Sequence, residues 1–369
     1  MPITLDGTNG ITTPMYSGAI SANAVTPSVN MKSRIINGAM VISQRGTSFT
    51  VDNDTIYSLD RWMVIDQTSG VFTAAQSSDA PTGFVNSLLA TVTTADASIG
   101  ATELALIRQR IEGFNGADLG WGTANAKTIT LSFWVKSSLT GTFGGSILNG
   151  DASRSYPYTY TINSANTWEQ KSITITGDTT GTWATTNTTF AQVDWSLAVG
   201  STYSGTAGAW ASSLYLGVTG QVQVMSTLNA TLQLTGVQFE VGSTATSFDY
   251  RPIGTELDLC QRYCFGFGGA SSGGTSCVIG LAFSGNQSVS AVQFPVQMRG
   301  YPSLTVATPS NFYTNNIGAN TNSSAISANT TSSTTGEFLA TLVSSALTTG
   351  QAIRFFGNNS SLAIWSAEL

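Results

Sequence analysis

Eight tryptophans offer the richest chemistry in this 369-residue sequence. A Trp ring combines a large apolar surface with one polar N–H group, and sugars bind such rings by stacking their C–H faces on them. Trp183, Trp195 and Trp210 lie in stretches rich in Gly, Thr and Ser, which are typical of loops or short strands. We predict that these three residues contact a carbohydrate or another subunit, with core packing as the alternative for each.

For three further tryptophans, the neighbouring residues indicate whether the side chain lies in the core or on which face of a strand it lies. The sequence around Trp62 and Trp168 favours core packing for both. Trp134 follows Phe133 in an alternating run, so these two side chains lie on opposite faces of a strand. One of those two faces therefore lies outside the core between two sheets.

Paired carboxylates could hydrolyse glycosidic bonds. The available acids show no spacing that singles out a pair: Glu103, Glu112, Asp118, Asp151, Asp178, Asp194 and Glu240. The sequence contains no histidine, which excludes a Ser-His-Asp triad and an HExxH zinc site. We predict no catalytic residue and no enzymatic activity.

Two groups of residues could bind a metal. Asp52, Asp54 and Asp60 supply carboxylates, but the Gly and terminal Glu of a calcium-binding loop are missing, so we interpret them as turn-forming residues. Cys260, Cys264 and Cys277 lack a CxxC spacing and a histidine partner. We interpret these thiols as small buried residues and predict no metal and no cofactor.

The charge content limits the partners of the chain. Lys and Arg number 14 against 20 Asp and Glu, and charged residues make up only 9% of the sequence. Scattered basic residues give no phosphate-binding surface, so we expect no nucleic-acid partner. No apolar run approaches the roughly 18 residues of a membrane span, so we expect no membrane insertion. The opening MPITLDGTNGITTP lacks the pattern of a secretory signal, and release by lysis would explain an extracellular location.

Alternation of apolar and polar residues predicts an all-β protein. The run TITLSFWVK and the pairs Ile173/Ile175 and Val222/Val224 follow this period of two. Apolar residues occupy even-numbered positions before Gly236 and odd-numbered positions after it. This change of parity predicts a β-bulge within one long strand. Residues 102–112 have a spacing that a helix could share, and we interpret them as a turn that leads into a strand.

The chain divides into four predicted parts. Residues 1–33 form an extended N-terminal arm that contains too few apolar residues to fold alone. Residues 34–252 form a β-sandwich, and residues 253–265 form a connector whose helix covers about 255–264 and begins with a capping box at Thr255 and Asp258. Residues 266–369 form a second β-sandwich, in which the Asn/Ser/Thr-rich stretch 315–335 is predicted as a loop and a candidate recognition surface.

Several long runs resemble a known family. They include INGAMVISQRGTSFTVDNDTIYSLDRWMV, LGWGTANAKTITLSFWVKSSLTGTF, RSYPYTYTINSANTWEQKSITITGDTTGTW and LQLTGVQFEVGSTATSFDYRP. They resemble a jelly-roll module of the carbohydrate-binding-module type that recurs in bacteriophage tail fibres and related virion appendages. The opening ITLDGTNGITTP and the closing SLAIWSAEL resemble the two ends of phage tail-fibre proteins.

The resemblance implies a structural and adhesive protein of the virion, made in the bacterial cytoplasm and released by lysis. It implies a homotrimer that attaches to tail or baseplate proteins through residues 1–33. The expected receptor is a glycan of the host cell surface, such as lipopolysaccharide. A capsid decoration protein or head fibre would use the same jelly roll, and a carbohydrate-active depolymerase is the third alternative.

Overall fold

The computed structural model describes residues 4–6, 10–12, 31–268, 277–316, 319–357 and 362–369. Contacts divide the chain into two units, Met1–Lys32 and Ser33–Leu369. In the first unit, β1 (Thr4–Asp6) and β2 (Gly10–Thr12) form an antiparallel pair in which Leu5 lies opposite Ile11. Most of the predicted arm lies outside the described residues.

The second unit is all-β, as predicted, and begins with a sandwich of two six-stranded antiparallel sheets. The first sheet has the order β11-β10-β13-β8-β5-β4 and the second has the order β12-β9-β16-β7-β6-β3. The first sheet consists of β4 (Thr55–Tyr57), β5 (Trp62–Asp66), β8 (Leu104–Glu112), β10 (Gly141–Asn149), β11 (Ser155–Ile162) and β13 (Thr189–Val199). The second consists of β3 (Ser48–Val51), β6 (Val71–Ser77), β7 (Ser87–Thr94), β9 (Ile129–Ser137), β12 (Glu169–Ile175) and β16 (Thr231–Val241).

One apolar core lies between the two sheets. In β9, Leu131, Phe133 and Val135 are fully buried in this core, as their alternation predicts. Residues 104–112 form a strand and not a helix, which confirms the interpretation of that stretch. Between β8 and β9 lies the single-turn helix α1 (Gly113–Gly116), and β14 (Ser204–Gly205) pairs in parallel with β15 (Gly217–Val218) in the connection from β13 to β16.

The β-bulge predicted at Gly236 is present in β16. The pairing of β16 with β9 shifts register between Thr235 and Gln238, and Gly236 has a φ of 59°. This left-handed backbone conformation favours glycine because it has no Cβ. Residues on both sides of the bulge can therefore contribute to the same core.

A short helix follows the sandwich, as predicted. Helix α2 (Ile253–Gln261) begins two residues before the predicted start, and its N-cap is Pro252, without a side-chain hydrogen bond. The capping box predicted from Thr255 and Asp258 is therefore wrong, since Thr255 already lies inside the helix. Cys260 and Cys264 are buried as free thiols, in agreement with their interpretation, and Cys277 has no described side chain.

The predicted second β-sandwich takes the form of a closed six-stranded barrel beside a three-stranded sheet. The barrel closes because β24 pairs with both β18 and β21, in the order β18-β19-β23-β22-β21-β24. Its strands are β18 (Cys277–Ser284), β19 (Gln287–Gln293), β21 (Phe312–Asn316), β22 (Ala319–Thr331), β23 (Thr335–Leu342) and β24 (Ala352–Gly357). The small sheet contains β17 (Cys264–Gly268), β20 (Ser303–Val306) and β25 (Leu362–Ser366).

The prediction of loops over residues 315–335 is wrong. This stretch contains β22, a 13-residue strand of the barrel. Main-chain pairing with β21 and β23 holds it, although most of its described side chains are polar and Ser323 is the one among them that is buried. A strand of this kind has no apolar alternation from which it could be recognised. In the described part of the chain, no helix has the length and apolar character needed to cross a membrane.

Candidate functional site

The outer face of the second sheet carries half-buried aromatic side chains. In β9 the residues that alternate with the buried core positions are Thr130, Ser132, Trp134 and Lys136. Trp134 and Lys136 are both partly exposed. The sequence argument that Phe133 and Trp134 lie on opposite faces is therefore confirmed, and Trp134 lies on the face away from the core.

Trp168, one residue before β12, is held by two charged residues. The register of β12 against β9 places Trp168 next to Lys136, and the Lys136 Nζ atom lies 5.4 Å from the centre of the Trp168 ring. The Trp168 Nε1–H group donates a hydrogen bond to Asp79 at 3.1 Å, and Lys136 forms an ion pair with the same carboxylate. The hydrogen bond from Lys136 is the main cause that lowers the pKa of Asp79. Trp168 is half-buried, so its predicted place in the core is wrong.

The bulge at Gly236 brings a second aromatic group to this face. A Cβ atom at Gly236 would lie 2.6 Å from the ring of Phe84 and 3.0 Å from Trp134. The Phe84 ring centre lies 5.1 Å from that of Phe248 and 5.5 Å from that of Tyr250. These rings border a cleft of about 240 Å³, at which Tyr250 is 59% exposed. We call Phe84, Trp134, Trp168, Phe248 and Tyr250 the aromatic face.

Polar groups border the aromatic face. Gln170 is exposed and lies opposite Trp134 in the register of β12 and β9. The Tyr250 hydroxyl donates a hydrogen bond to the Gly83 carbonyl at 2.8 Å, which fixes its ring. The Arg251 Nη2 group donates a 2.5 Å hydrogen bond to the carbonyl oxygen of Ser33. The Nη1 atom of the same guanidinium lies 3.3 Å from Glu256 Oε2. Apolar rings that are held in place and bordered by amides, carboxylates and a guanidinium form a surface suited to stacking and hydrogen-bonding a sugar.

The three tryptophans predicted from the sequence lie elsewhere. Trp195 in β13 is fully buried between the sheets, and Trp183 is only 7% exposed. Trp210 is half-buried, and its Nε1–H group donates to the Thr176 carbonyl at 2.8 Å. Trp183 and Trp210 pack with Trp121, at ring-centre distances of 4.7 Å and 5.4 Å from it.

Burial corrects part of that prediction. Trp195 and Trp183 present almost no surface to a ligand because they fill the core, where large apolar rings contribute most to stability. Trp210 stays a prediction, since part of its side chain reaches solvent. Trp62 is fully buried, which confirms its predicted place in the core.

The sequence pattern indicates only part of the aromatic face. Flanking Gly, Thr and Ser point to Trp183, Trp195 and Trp210, whereas the alternation of buried and exposed positions along a strand is the informative signal. That alternation already places Trp134 on the face of β9 away from the one that carries Phe133. Phe84, Phe248 and Tyr250 lie outside the strands, so no periodicity could bring them together.

The carboxylates considered for hydrolysis each have a structural partner. Asp194 accepts two hydrogen bonds of 2.7 Å from Arg108, and Asp178 accepts bonds of 2.7 and 2.8 Å from Arg154. Glu112 accepts hydrogen bonds from Arg262 and Tyr263. The remaining acids accept from other groups: Glu103 from the Gly100 amide, Asp118 from Arg34, Asp151 from Ser153, and Glu240 from Gln238 and Thr246.

The residues considered for metal binding also have other roles. Asp60 is fully buried, and one of its oxygens accepts a 3.0 Å hydrogen bond from the Gln44 amide. Asp54 bonds to the amide of the next residue, Thr55, at 2.7 Å. Among the described residues, no cluster of three acids, thiols or histidines has the arrangement to hold a metal ion.

No protein-family profile matches the sequence, and no curated protein matches it. Among solved structures, the chain is similar to the enzymatically active domain of tailspike protein 4 of bacteriophage CBA120, at 15% identity and a TM-score of 0.33, over 57% of this chain and 21% of that one. It is similar to a family 4 carbohydrate-binding module, at 16% identity and a TM-score of 0.27, over 56% of this chain and 98% of that one. A family 11 carbohydrate-binding module from Clostridium thermocellum gives 10% identity and a TM-score of 0.29, over 54% and 98% of the two chains. The chain thus spans about a fifth of the tailspike domain's length.

Proposed function

We propose that this chain is a structural and adhesive protein of a bacteriophage tail fibre that binds a glycan of the host cell surface. In this proposal the jelly-roll sandwich carries the glycan site, residues 1–33 attach the chain to the tail or baseplate, and three copies form a fibre. The protein is made in the bacterial cytoplasm and released by lysis as part of the virion.

The aromatic face is the observation that carries the binding part of the proposal. Trp134, Trp168 and Tyr250 expose ring surface on one side of a single sheet and its adjoining loops. Hydrogen bonds and the Lys136 side chain fix the Trp168 ring before any ligand arrives. A ring held in this way loses little conformational entropy when a flexible sugar stacks on it.

Binding without hydrolysis is part of the same proposal. The acids Glu112, Asp178 and Asp194 are each held in ion pairs or hydrogen bonds with arginines that pack within the fold. Asp79, the carboxylate beside Trp168, is bonded to Lys136 and to the Trp168 ring nitrogen. This arrangement supports an adhesin in preference to a depolymerase.

The test measures binding to purified lipopolysaccharide and other surface polysaccharides of bacterial hosts by calorimetry. We expect Trp134→Ala and Trp168→Ala each to weaken binding about tenfold, which corresponds to about 1.4 kcal/mol. Phe114→Ala is a matched control, because Phe114 is 61% exposed but lies outside the aromatic face. If both tryptophan variants bind every tested glycan like the parent, the aromatic face is not the receptor site. If the parent binds none of the glycans, a capsid decoration protein or head fibre becomes the better interpretation.

The proposed arm requires a deletion that spares the sandwich. Ser33 and Arg34 are buried, and the Arg34 amide bonds to the Phe239 carbonyl at 2.9 Å, so the deletion should end at residue 30. We expect this truncated chain to keep the thermal stability of the parent but not to assemble onto virions. Virions that incorporate the truncated chain normally would contradict the proposed role of the arm.

A further inference from the structure

One strand of the barrel exposes a row of large apolar side chains. In β18, Ala282 is buried in the barrel core, whereas Ile279, Leu281 and Phe283 are 76%, 57% and 64% exposed. The three exposed residues occupy alternate positions, so they all lie on the outer surface of the barrel. Three large apolar side chains in sequence on the solvent face of one strand form an unusual surface for an isolated protein.

The neighbouring strands extend this apolar surface. The pairing of β18 with β19 places Val289 beside Leu281, and the pairing of β19 with β23 places Leu339 beside Val289. On the other side of β18, Ala352 of β24 lies opposite Leu281. We call the surface that comprises Ile279, Leu281, Phe283, Val289, Ala291, Leu339 and Ala352 the barrel wall.

Two opposite charges border the barrel wall on opposite sides. Arg354 of β24 lies opposite Ile279, and Glu337 of β23 lies opposite Ala291. The register therefore forms one row across four strands, with Arg354 at one end and Glu337 at the other. Along the curved surface three strand spacings, about 14 Å, separate these ends, and because six strands close the barrel, β24 and β23 lie on opposite sides of it. Among the described residues neither takes part in an ion pair, and Glu337 accepts a hydrogen bond from Asn329.

We propose that further copies of this chain cover the barrel wall. When barrel walls face a common axis, the Arg354 edge of each copy meets the Glu337 edge of the next, and the apolar residues between them leave water together. A partner with charge of one sign would match only one edge, whereas an identical chain matches both. This inference does not depend on glycan binding, and it gives the proposed homotrimer a surface through which to assemble.

The first test compares self-association of the full chain and its variants by analytical ultracentrifugation. We expect Leu281→Asp to raise the dissociation constant of the oligomer about tenfold or more, because it places a charge at the centre of the interface. Leu228→Asp is the matched control, since Leu228 is 56% exposed on the sandwich and should leave association unchanged. Circular dichroism establishes that both variants remain folded.

The second test uses the charged edges and remains informative if Leu281→Asp fails to fold. Arg354→Glu and Glu337→Arg should each weaken association, and the double variant should restore it. A parent chain that is monomeric at micromolar concentration overturns the inference, as does an oligomer that is insensitive to all of these variants. If the oligomer responds to these variants as expected but contains two copies, the result supports the barrel wall as the interface and contradicts the proposed trimer.

Discussion

Arg61 of the sandwich forms a buried ion pair with Glu368, although 307 residues separate them in the sequence. The Arg61 side chain is 1% exposed and that of Glu368 is 5% exposed. The Arg61 guanidinium also lies 3.6 Å from the ring centre of Tyr263, just after helix α2. Burial alone would lower the pKa of Arg61, but the Glu368 carboxylate outweighs this effect and raises it. One buried cation thus joins the sandwich, the connector and the end of the C-terminal part.

Glu368→Gln should destabilise the protein, because it leaves the buried Arg61 charge without its carboxylate partner. Removal of one member of a buried pair costs about 3–5 kcal/mol. Urea unfolding measures the loss, and Asp258→Asn serves as the control because Asp258 is exposed on helix α2. Equal stability of the two variants would show that the pair does not hold the parts together.

Gly236→Ala should destabilise the sandwich for two separable reasons. The φ of 59° costs a Cβ-bearing residue about 1–2 kcal/mol, and the Cβ would also collide with the Phe84 ring. Gly220→Ala isolates the first effect, since its φ is 80° and nothing lies within 4 Å of its Cβ position. Gly254→Ala has neither problem and should be neutral or slightly stabilising.

Thermal and urea unfolding measure the stability that each of the three glycine variants loses. We expect Gly236→Ala to lose the most stability and also to weaken glycan binding, because the displaced ring belongs to the aromatic face. A Gly236→Ala variant as stable as Gly220→Ala would mean that Phe84 moves aside at little cost.

The sequence predicts the fold where one side of an element is buried. The alternation around Phe133 predicts β9, and the parity change at Gly236 predicts a bulge that the structure confirms. The same reasoning fails for β22, whose exposed Asn, Ser and Thr side chains carry no period. Barrel closure depends on the pairing of β24 with β18 and β21, and no local pattern of residues specifies such distant partners.

The candidate site could be predicted only in part. The alternation in β9 places Trp134 and Phe133 on opposite faces, whereas Trp168 lies one residue before β12, where no alternation indicates its orientation. Trp195 lies in a strand whose two faces are both covered, so every described position from Phe190 to Val199 is buried. Polar neighbours such as Asp194 and Ser196 therefore did not indicate exposure.

Glu169 should make stability depend on pH in the acid range. Burial raises its pKa, but hydrogen bonds from Lys171 and from the amides of Ser164 and Asn163 outweigh this and lower the pKa from 4.5 to about 2. Because the folded pKa lies below the unfolded one, the stabilisation is fully present above about pH 4.5 and is lost as the pH falls towards 2.

The measurement for Glu169 is the free energy of urea unfolding as a function of pH. Glu169→Gln should lower stability near neutral pH and flatten the fall of stability at acid pH relative to the parent. Asp258→Asn provides the control, since Asp258 is exposed on helix α2 and lies outside both the aromatic face and the barrel wall. Parallel pH profiles for the parent and Glu169→Gln would show that the lowered pKa of Glu169 does not cause the loss of stability at acid pH.

Trp195→Ala and Trp134→Ala should affect different properties of the same sandwich. Trp195 is fully buried against Trp62 and Phe133, with ring centres 5.6 and 5.5 Å away, so its truncation leaves a cavity that costs about 3–5 kcal/mol. Trp134 is half-buried on the outer face, so its truncation should cost less stability but weaken glycan binding. Unfolding and binding are measured for both variants at a temperature where each is folded. If Trp195→Ala weakens binding per folded molecule more than Trp134→Ala does, the aromatic face is not the receptor surface.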